Sequence, residues 1–576
     1  MHNSILAKTV LAFSALSLVA TTALQAKVSD AERNALVKFY DATKGDDWQY
    51  NDNWKDGDPC ENNWRFIGCN DDNDKVLTLS MGNNDLDGEL PAELGDLENL
   101  KHLALWRTEK LKGEIPKELG NLENLEYLVF WSTKLEGEIP KELGNLNNLT
   151  YLNFEYNNLE GEIPKELGNL ENLTYLNLQN NKLEGEIPKE LGNLENLEYL
   201  NLEDNKLEGE IPKEIGNLED LRILELGNQL EGEIPKELGN LENLVILRLY
   251  GSLEGEIPKE FGNLKNLVLL VLRGSLEGEI PKEFGNLENL EYLYLKNNKL
   301  EGEIPKELGN LDKLLFITFY NNKLEGEIPS ELQDMDSIKT IRIPHNALFT
   351  DNADLDDWLD NKGGNWSETQ TIAVTNIDAN ETTDDSTKIS WEKIEFNDGD
   401  GGYTVFVQED GEDYEKYDDT DDKDAEEMVV KNLKAETDYC FKVKSFTEYD
   451  AEYNERTVTS YFSDEVCITT DEADDSMGGS GDSSGSGDDS SSSNGSSSDE
   501  DSSSSNGLSS DDDSSSSNSS NSTDDSSSNE NSTDDMQDQA QNTMNELKDQ
   551  AESQVEEMES QVETEEVSQT QNTNSF

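Results

Sequence analysis

Tyrosine and asparagine recur at a fixed interval in the middle of the chain, in positions suited to contact a ligand. The same interval separates Tyr127, Tyr151, Tyr175 and Tyr199, and it also separates Asn153, Asn177 and Asn201. Aromatic rings offer large apolar contact areas, and amides offer hydrogen-bond donors and acceptors. This combination suits noncovalent recognition of a protein or a glycan rather than bond making or breaking.

Residues for acid–base or nucleophilic catalysis are scarce or uninformative. Apart from His2, the histidines are His102 and His345, at opposite ends of the repeated region, so neither a Ser-His-Asp nor a Cys-His arrangement is expected. The 127 Asp and Glu residues offer so many accidental pairs that no pair indicates glycoside hydrolysis. No glycine loop of the phosphate-binding kind is present. The sequence therefore predicts no enzyme, no cofactor and no metal centre.

The charge balance is extreme, with 45 Lys and Arg against 127 Asp and Glu and a net charge of −82. Charge repulsion argues against nucleic acid and anionic membranes as partners. Residues 1–26 combine Lys8, an apolar run over 10–20 and small residues before Ala26. This pattern predicts a secretory signal peptide, with a buried helix as the alternative, and hence a secreted or cell-surface protein. No later segment approaches the roughly 18 apolar residues of a membrane span.

The four cysteines fall as two pairs in two regions that otherwise differ, Cys60 with Cys69 and Cys440 with Cys467. Export favours disulfides. The spacing of the first pair does not match the close pairs of zinc ribbons, and no histidine stands nearby. We therefore expect disulfides Cys60–Cys69 and Cys440–Cys467.

A repeat with a nearly constant period runs from Leu79 to about Ile343. Its Ile-Pro or Leu-Pro step recurs at Pro91, Pro116, Pro140, Pro164, Pro188, Pro212, Pro235, Pro258, Pro281, Pro305 and Pro329. The period of about 24 residues is typical of a solenoid. In each copy an L-x-L step predicts a short strand with inward leucines, and an Asn such as Asn181 is predicted to pair buried backbone groups. Each leucine contributes about 1.5–3 kcal/mol, but only when a neighbouring coil covers it.

The frame L-x-x-L-x-L-x-x-N-x-L-x-G-x-I-P resembles the plant-type leucine-rich repeats, and "LVKFYDATKGDDWQYNDNWKDGDPCENNWRFIGC" resembles their amino-terminal cap. The resemblance implies a horseshoe-shaped α/β repeat solenoid, with a cap over 27–78 and repeats over 79–345. In place of the usual carboxy-terminal cysteine pair, we expect 346–368 to cover the last coil with Leu348, Leu355, Trp358 and Leu359. Plant-type relatives include receptor ectodomains and inhibitors of cell-wall-degrading enzymes, which implies protein recognition.

The period disappears after the repeats. Residues 369–470 contain alternating apolar runs, and with Trp391 and the Tyr439 step they resemble a fibronectin type III domain, an all-β sandwich with a tyrosine corner. The Ser- and Asp-rich composition of 471–535 predicts a disordered acidic tether. Apolar residues at intervals of three and four predict an amphipathic helix within 536–576, which could self-associate or fold only on a partner.

Residues that alternate with the inward leucines are predicted to face the concave side of the solenoid. Aromatic, amide and cationic residues at these positions are the candidate ligand-binding residues: Trp106, Tyr127, Trp131, Tyr151, Asn153, Tyr175, Asn177, Tyr199, Asn201, Arg248, Arg273, Tyr292 and Tyr294. The alternative is that tyrosine is simply a good strand residue copied by duplication.

On the flank, Glu136, Glu160, Glu184 and their equivalents are predicted to form a ladder, which favours solvation or weak binding of divalent cations. The favoured hypothesis is a secreted or cell-surface recognition protein that binds a protein or glycan on its concave face. One alternative is a structural or adhesive surface protein in which the solenoid is a spacer. An ice-binding role is a further alternative, but no regular Thr column appears on the strands.

Overall fold

The computed structural model describes residues 27–363, 366–394, 400–420, 422–449 and 456–472. The expected signal peptide, the amphipathic helix and all but the first two residues of the expected tether lie outside the described residues.

A helical cap closes the amino-terminal end of the solenoid. Helix α1 (Asp30–Ala42) begins after Ser29, which forms a capping box with Glu32. A short 3-10 helix (Gly45–Asp47) follows, and Trp48 and Trp54 pack onto Phe39. Strand β1 (Ile67–Cys69) pairs antiparallel with the first solenoid strand. The disulfide Cys60–Cys69 lies in this cap, as expected.

Each coil contributes one strand to a parallel concave sheet. The concave strands are β2 (Val76–Gly82), β4 (His102–Trp106), β6 (Tyr127–Trp131), β8 (Tyr151–Asn153), β10 (Tyr175–Asn177), β12 (Tyr199–Asn201), β14 (Ile223–Glu233), β15 (Ile246–Glu254), β16 (Leu269–Arg273), β17 (Tyr292–Tyr294), β19 (Phe316–Thr318) and β21 (Thr340–Arg342). Neighbouring strands pair in register with equivalent residues, such as Tyr175 with Tyr199. Side chains at equivalent positions of successive coils therefore lie next to one another in rows across the concave sheet.

A second set of short parallel strands runs along the flank. They are β3 (Asp87–Glu89), β5 (Lys110–Gly113), β7 (Lys134–Gly137), β9 (Asn158–Gly161), β11 (Lys182–Glu186), β13 (Lys206–Gly209), β18 (Glu301–Gly302), β20 (Lys323–Glu327) and β22 (Ala347–Phe349). A 3-10 helix follows the Pro of each coil, at Ala92–Asp96, Lys117–Asn121, Lys141–Asn145, Lys165–Asn169, Lys189–Asn193, Lys213–Asn217, Lys236–Asn240, Lys259–Asn263, Lys282–Asn286, Lys306–Asn310 and Ser330–Asp334. These helices pack closely, since a Cβ at Gly144 would lie 2.3 Å from the carbonyl oxygen of Glu166.

The core consists of the inward leucines and a ladder of buried asparagines. Leu176 and Leu178 are fully buried. The Asn181 amide donates to Phe154 O at 2.9 Å, and its Oδ1 accepts from Leu159 N at 3.0 Å. The predictions for both residue types are confirmed. The asparagine links consecutive coils because these two groups belong to the coil before its own, while its amide also donates to Leu178 O of its own coil at 3.1 Å.

The coils between Pro212 and Pro281 are each one residue shorter than the coils on either side. Strands β14 and β15 continue from the concave sheet into the flank as single strands of 11 and 9 residues. Gly251 permits this course, because a Cβ there would lie 2.5 Å from Leu230 O. In these two coils the missing residue removes the turn that separates the two sheets, whereas in the third shortened coil β16 ends at Arg273 and a bend follows it.

Helix α2 (Ala353–Gly363) covers the last coil. Leu348, Leu355 and Leu359 are buried beneath it and Trp358 is partly buried, as expected. Gln370, after a 3-10 helix (Ser367–Thr369), takes the position of the ladder asparagine: its Oε1 accepts from Leu348 N at 3.1 Å.

The remaining strands form an all-β sandwich. One sheet contains β23 (Thr375–Asn380), β24 (Ser386–Glu392) and β27 (Glu427–Lys431); the other contains β25 (Asp400–Glu409), β26 (Glu415–Asp419), β28 (Asp438–Tyr449), β29 (Arg456–Thr459) and β30 (Val466–Thr469). Trp391 is in the core, and the Tyr439 hydroxyl accepts from Lys434 N at 3.1 Å, forming the expected tyrosine corner. The disulfide Cys440–Cys467 joins β28 to β30, as expected.

The sandwich contacts the end of the solenoid directly. The Tyr461 ring packs edge to face on Phe349 of the last flank strand, with ring centroids 6.5 Å apart. Ser445 Oγ also donates at 2.6 Å to Ile372 O, in the segment that follows Gln370. No helix in the described part of the chain has the length and apolar character needed to cross a membrane.

Candidate functional site

The tyrosines of the concave face stack on one another. The ring centroids of Tyr151 and Tyr175 lie 4.1 Å apart, and those of Tyr175 and Tyr199 lie 4.2 Å apart, with nearly parallel planes. Tyr127 continues the column at 5.8 Å from Tyr151. Because the ring faces of the inner tyrosines contact each other, their hydroxyls and edges are the parts that can meet a ligand. Burial raises the pKa of the Tyr175 and Tyr199 hydroxyls well above the ordinary value, so both remain protonated.

The asparagines beside these tyrosines are buried and bonded within the solenoid. Asn177 is 2% exposed; its Oδ1 accepts from Gln179 N at 3.0 Å, and its amide donates to Glu155 Oε2 at 3.0 Å. The Oδ1 atoms of Asn153 and Asn201 also accept a backbone N–H two residues later. These asparagines end the concave strands and orient the side chains around them.

Three glutamates and one arginine form the Glu–Arg cluster: Glu203, Glu225 and Arg248 lie on three consecutive coils, and Glu155 lies two coils before Glu203. Arg248 Nη1 lies 3.0 Å from Glu225 Oε1, and both side chains are about nine-tenths buried. The other oxygen of Glu225 accepts from the Asn201 amide at 2.6 Å. Glu203 is 7% exposed, and its Oε1 has no hydrogen-bond partner among the described residues.

Burial raises the pKa of all three glutamates of the cluster. It raises the pKa of Glu155 to about 7, and the negative charge of Glu225 adds to the effect. The pKa of Glu203 is also raised, by burial and then by Glu225, while the Arg248 charge opposes the rise. For Glu225 itself, burial raises the pKa and Arg248 again opposes it. The cluster therefore binds protons near neutral pH.

The other candidate residues lie at the two ends of the concave face. At the amino-terminal end Trp106 and Trp131 are half-buried, and the Arg107 guanidinium lies 4.9 Å from the Trp131 ring centroid. At the carboxy-terminal end Tyr292 and Tyr294 are buried in adjacent rows, and the Tyr292 ring stacks on Phe316 at 5.3 Å. Strands β14 to β16 separate the carboxy-terminal group from the central tyrosines, whereas Trp131 lies on β6, directly beside the strand that carries Tyr151.

Arg273 is half-buried and lies 5.6 Å from the ring centroid of Tyr250. This places it next to the Glu–Arg cluster, in the row of side chains that contains Glu203 and Tyr250. The sequence-based candidate set contains Arg248 and Arg273 but omits the glutamates of the cluster. One feature of the sequence could have drawn attention to these glutamates. The coils become one residue shorter after Pro212, in the region where the glutamates and arginines lie.

We expect the cluster to make stability fall as pH rises. The pKa of Glu155 in the folded state exceeds its ordinary value of 4.5, so the folded protein binds this proton more tightly, and stability is lost as pH rises toward about 7. Glu155→Gln removes the charge but keeps an acceptor for the Asn177 amide. It should raise Tm by about 2–4 °C at about pH 8 and change little at about pH 5. Thermal unfolding of Glu160→Gln, an exposed site on the same coil, provides the control; an equal gain there would contradict this assignment.

The flank presents a long open groove with acidic walls. Its floor is formed by the Ile-Pro steps from Ile163–Pro164 to Ile328–Pro329, and repeated Glu and Lys side chains line its sides. Within the described ranges, one group of side chains is close enough to share a metal ion, namely Cys440, Glu465 and Cys467. The disulfide occupies both sulfurs of that group, so it offers no thiolate ligand. Cation binding on the glutamate ladder stays a prediction.

Comparison with known protein families decides the identity of the repeated region. The family model of a leucine-rich repeat region matches residues 75–208 and 200–379, which together span more than half of the chain. The chain belongs to the leucine-rich repeat family. A fibronectin type III domain model matches residues 373–460, on the sandwich that follows the leucine-rich repeats.

Individual relatives share only part of this arrangement. A probable leucine-rich repeat receptor-like protein kinase of Arabidopsis thaliana is 44% identical over 52 residues, which are 9% of this chain and 5% of that protein. A plant peptide hormone receptor solved with its peptide is 35% identical, with a TM-score of 0.45, over 47% of this chain and 48% of the receptor chain. The Arabidopsis receptor kinase HAESA, solved with a peptide hormone and a co-receptor, is 30% identical, with a TM-score of 0.49, over 56% and 54%. The chain thus spans about half the length of these solved receptors, and a twentieth of the curated kinase.

Proposed function

We propose that this leucine-rich repeat protein is a secreted or cell-surface recognition protein that binds a protein or glycan on its concave face and catalyses no reaction. The observation that carries the proposal is the central part of that face, where tyrosine hydroxyls, amides and the Glu–Arg cluster lie in register on consecutive coils. A rigid preformed surface of this kind binds with little loss of side-chain freedom.

The distribution of variable positions supports the same proposal. The flank and the 3-10 helices repeat nearly the same residues in every coil, whereas the concave rows change from Trp to Asn to Glu and Arg along the solenoid. Packing between coils requires the repeated residues, but it does not require these changes. We infer that the concave rows carry the specificity and that the sandwich and acidic segment space or attach the solenoid.

Replacement of Trp131, Tyr151 and Tyr175 by Ala in the full chain should abolish ligand capture. The probes are a glycan array and a random peptide library, and the measurement is retained ligand at equal protein concentration. Loss of a central aromatic group typically weakens binding by more than about tenfold. The matched control replaces Glu160, Glu184 and Glu208 by Ala, since these exposed flank residues lie on comparable coils.

The structural or adhesive hypothesis makes the opposite prediction. If the solenoid is only a spacer, the triple concave variant and the flank control should behave alike in every binding assay. Equal retention by both proteins, with circular dichroism showing that both are folded, would therefore reject concave recognition.

A further inference from the structure

We propose that the Glu–Arg cluster is a binding site for a basic side chain, Arg or Lys, of a peptide or protein ligand, with the Glu203 carboxylate as its principal contact. This inference rests on the proposed concave-face recognition and names the chemistry of the ligand. It differs from the aromatic recognition expected from the sequence, because the tyrosine rings contact each other.

The first argument is the state of the Glu203 side chain. Glu203 is about nine-tenths buried, yet its Oε1 has no hydrogen-bond partner in the described part of the protein. A buried carboxylate oxygen without a donor is costly, and such groups are normally paired. A guanidinium or ammonium group is the donor that would stabilise it most, since charge-assisted hydrogen bonds are the strongest kind.

The second argument is the charge balance around Glu203. Arg248 forms its ion pair with Glu225, whose other oxygen is bonded to Asn201. The positive charge of Arg248 therefore mainly balances Glu225, and it acts on Glu203 only at longer range. When Glu203 is ionised, one more cation would balance this second carboxylate, and a ligand can supply it.

The third argument is the shape of the concave face at this point. The row that contains Glu203 continues through Gly227 to Tyr250. A Cβ at Gly227 would lie 3.2 Å from Glu203 Cγ and 2.8 Å from Tyr250 Cδ2. Glu203 and Tyr250 thus meet over a coil that contributes no side chain to the row, and the Tyr250 ring already has one cation near it, the Arg273 guanidinium at 5.6 Å.

Protonation provides a test of the ligand class. The titratable groups that face Glu203 and Glu225 are Glu155, Tyr199, Asp204, Arg248 and Tyr250. A ligand cation requires ionised glutamates, whose pKa values are raised in the free protein, so its binding should strengthen as pH rises. A protonated Glu203 that donates to a neutral glycan oxygen would give the opposite dependence.

The test uses synthetic dodecapeptide pools with a central Arg, Lys or citrulline among randomised neutral residues. Citrulline retains the shape of Arg without its charge. At about 0.3 M salt, which screens long-range attraction to the acidic chain, the full protein should retain the Arg pool about tenfold more than the citrulline pool. Glu203→Gln should reduce this ratio to about one, while the exposed Glu184→Gln should leave it unchanged. Retention of the Arg pool should also rise between about pH 6 and about pH 9.

Two results would overturn the inference. One is equal retention of the Arg and citrulline pools, and the other is weaker retention of the Arg pool at the higher pH. If the retained peptides are still lost from the Trp131, Tyr151 and Tyr175 variant, concave recognition stands and only the basic-ligand assignment fails. If that variant retains every pool normally, the proposed function fails as well.

Discussion

Asn181→Ala should lower the free energy of unfolding by about 3–5 kcal/mol. The substitution leaves Leu159 N–H unpaired in the core, and a buried polar group without a partner costs about 1–3 kcal/mol. It also removes the amide's hydrogen bonds to Leu178 O and to Phe154 O, although Phe154 O still accepts from the Asn157 amide. The cavity left by the amide adds to this cost. Urea unfolding should show the loss, and hydrogen exchange at the Leu159 amide should become much faster because its protecting acceptor is gone.

Asn196→Ala is the matched control for this variant. The Asn196 amide donates to Glu171 O at 2.7 Å but is exposed, so water replaces its bond and the loss should stay below about 1 kcal/mol. Similar losses for the two variants would show that the ladder is not a principal source of stability.

Arg248→Met should also lower the free energy of unfolding by about 3–5 kcal/mol. Removal of one partner of a buried ion pair leaves the other charge uncompensated, and Glu225 would then stand beside Glu203 without a nearby cation. The loss should be larger at about pH 8 than at about pH 6, because protonation of the glutamates relieves it. Urea unfolding at the two pH values measures both effects.

The double variant Glu225→Gln with Arg248→Met separates charge from packing. The introduced glutamine would retain an acceptor for the Asn201 amide, so most of the lost stability should return. Arg273→Met changes the same residue type on the next coil, where the side chain is half-buried. It should lower the free energy of unfolding by less than about 1 kcal/mol. A double variant as unstable as the single one would mean that the Arg248 side chain stabilises by packing rather than by its charge.

The period of the sequence was sufficient to predict the repeated parts of the fold. Inward leucines, ladder asparagines and parallel strand register all follow from one coil stacking on a copy of itself, and the last coil, which has no such copy, needs a cover such as Leu355 and Leu359. The sandwich was predictable from alternating apolar runs, but β26 is not part of such a run. The sequence of β26, "EKYDD", has little strand propensity and forms a strand through pairing with β25.

The arrangement of the concave side chains was not predictable to the same degree. The alternation of residues in the repeat places Tyr175 and Asn177 on the concave face. It does not show that the tyrosine rings stack or that the Asn177 amide donates to Glu155. The Glu225–Arg248 pair likewise depends on the side-chain conformations of two coils and on local burial. The repeat period alone therefore does not identify the concave residues that contact a ligand, and their identity stays a prediction.

The register of the solenoid has a consequence for the evolution of the gene. Tyr175 pairs with Tyr199 in the same way that Tyr151 pairs with Tyr175, so a whole repeat unit could be gained or lost by unequal recombination without creating a mismatched junction. Length variants that keep whole units should remain folded. The shortened coils between Pro212 and Pro281 interrupt this equivalence, so recombination across them would alter the Glu–Arg cluster. Natural variation in unit number should therefore concentrate in the uniform coils before Pro212.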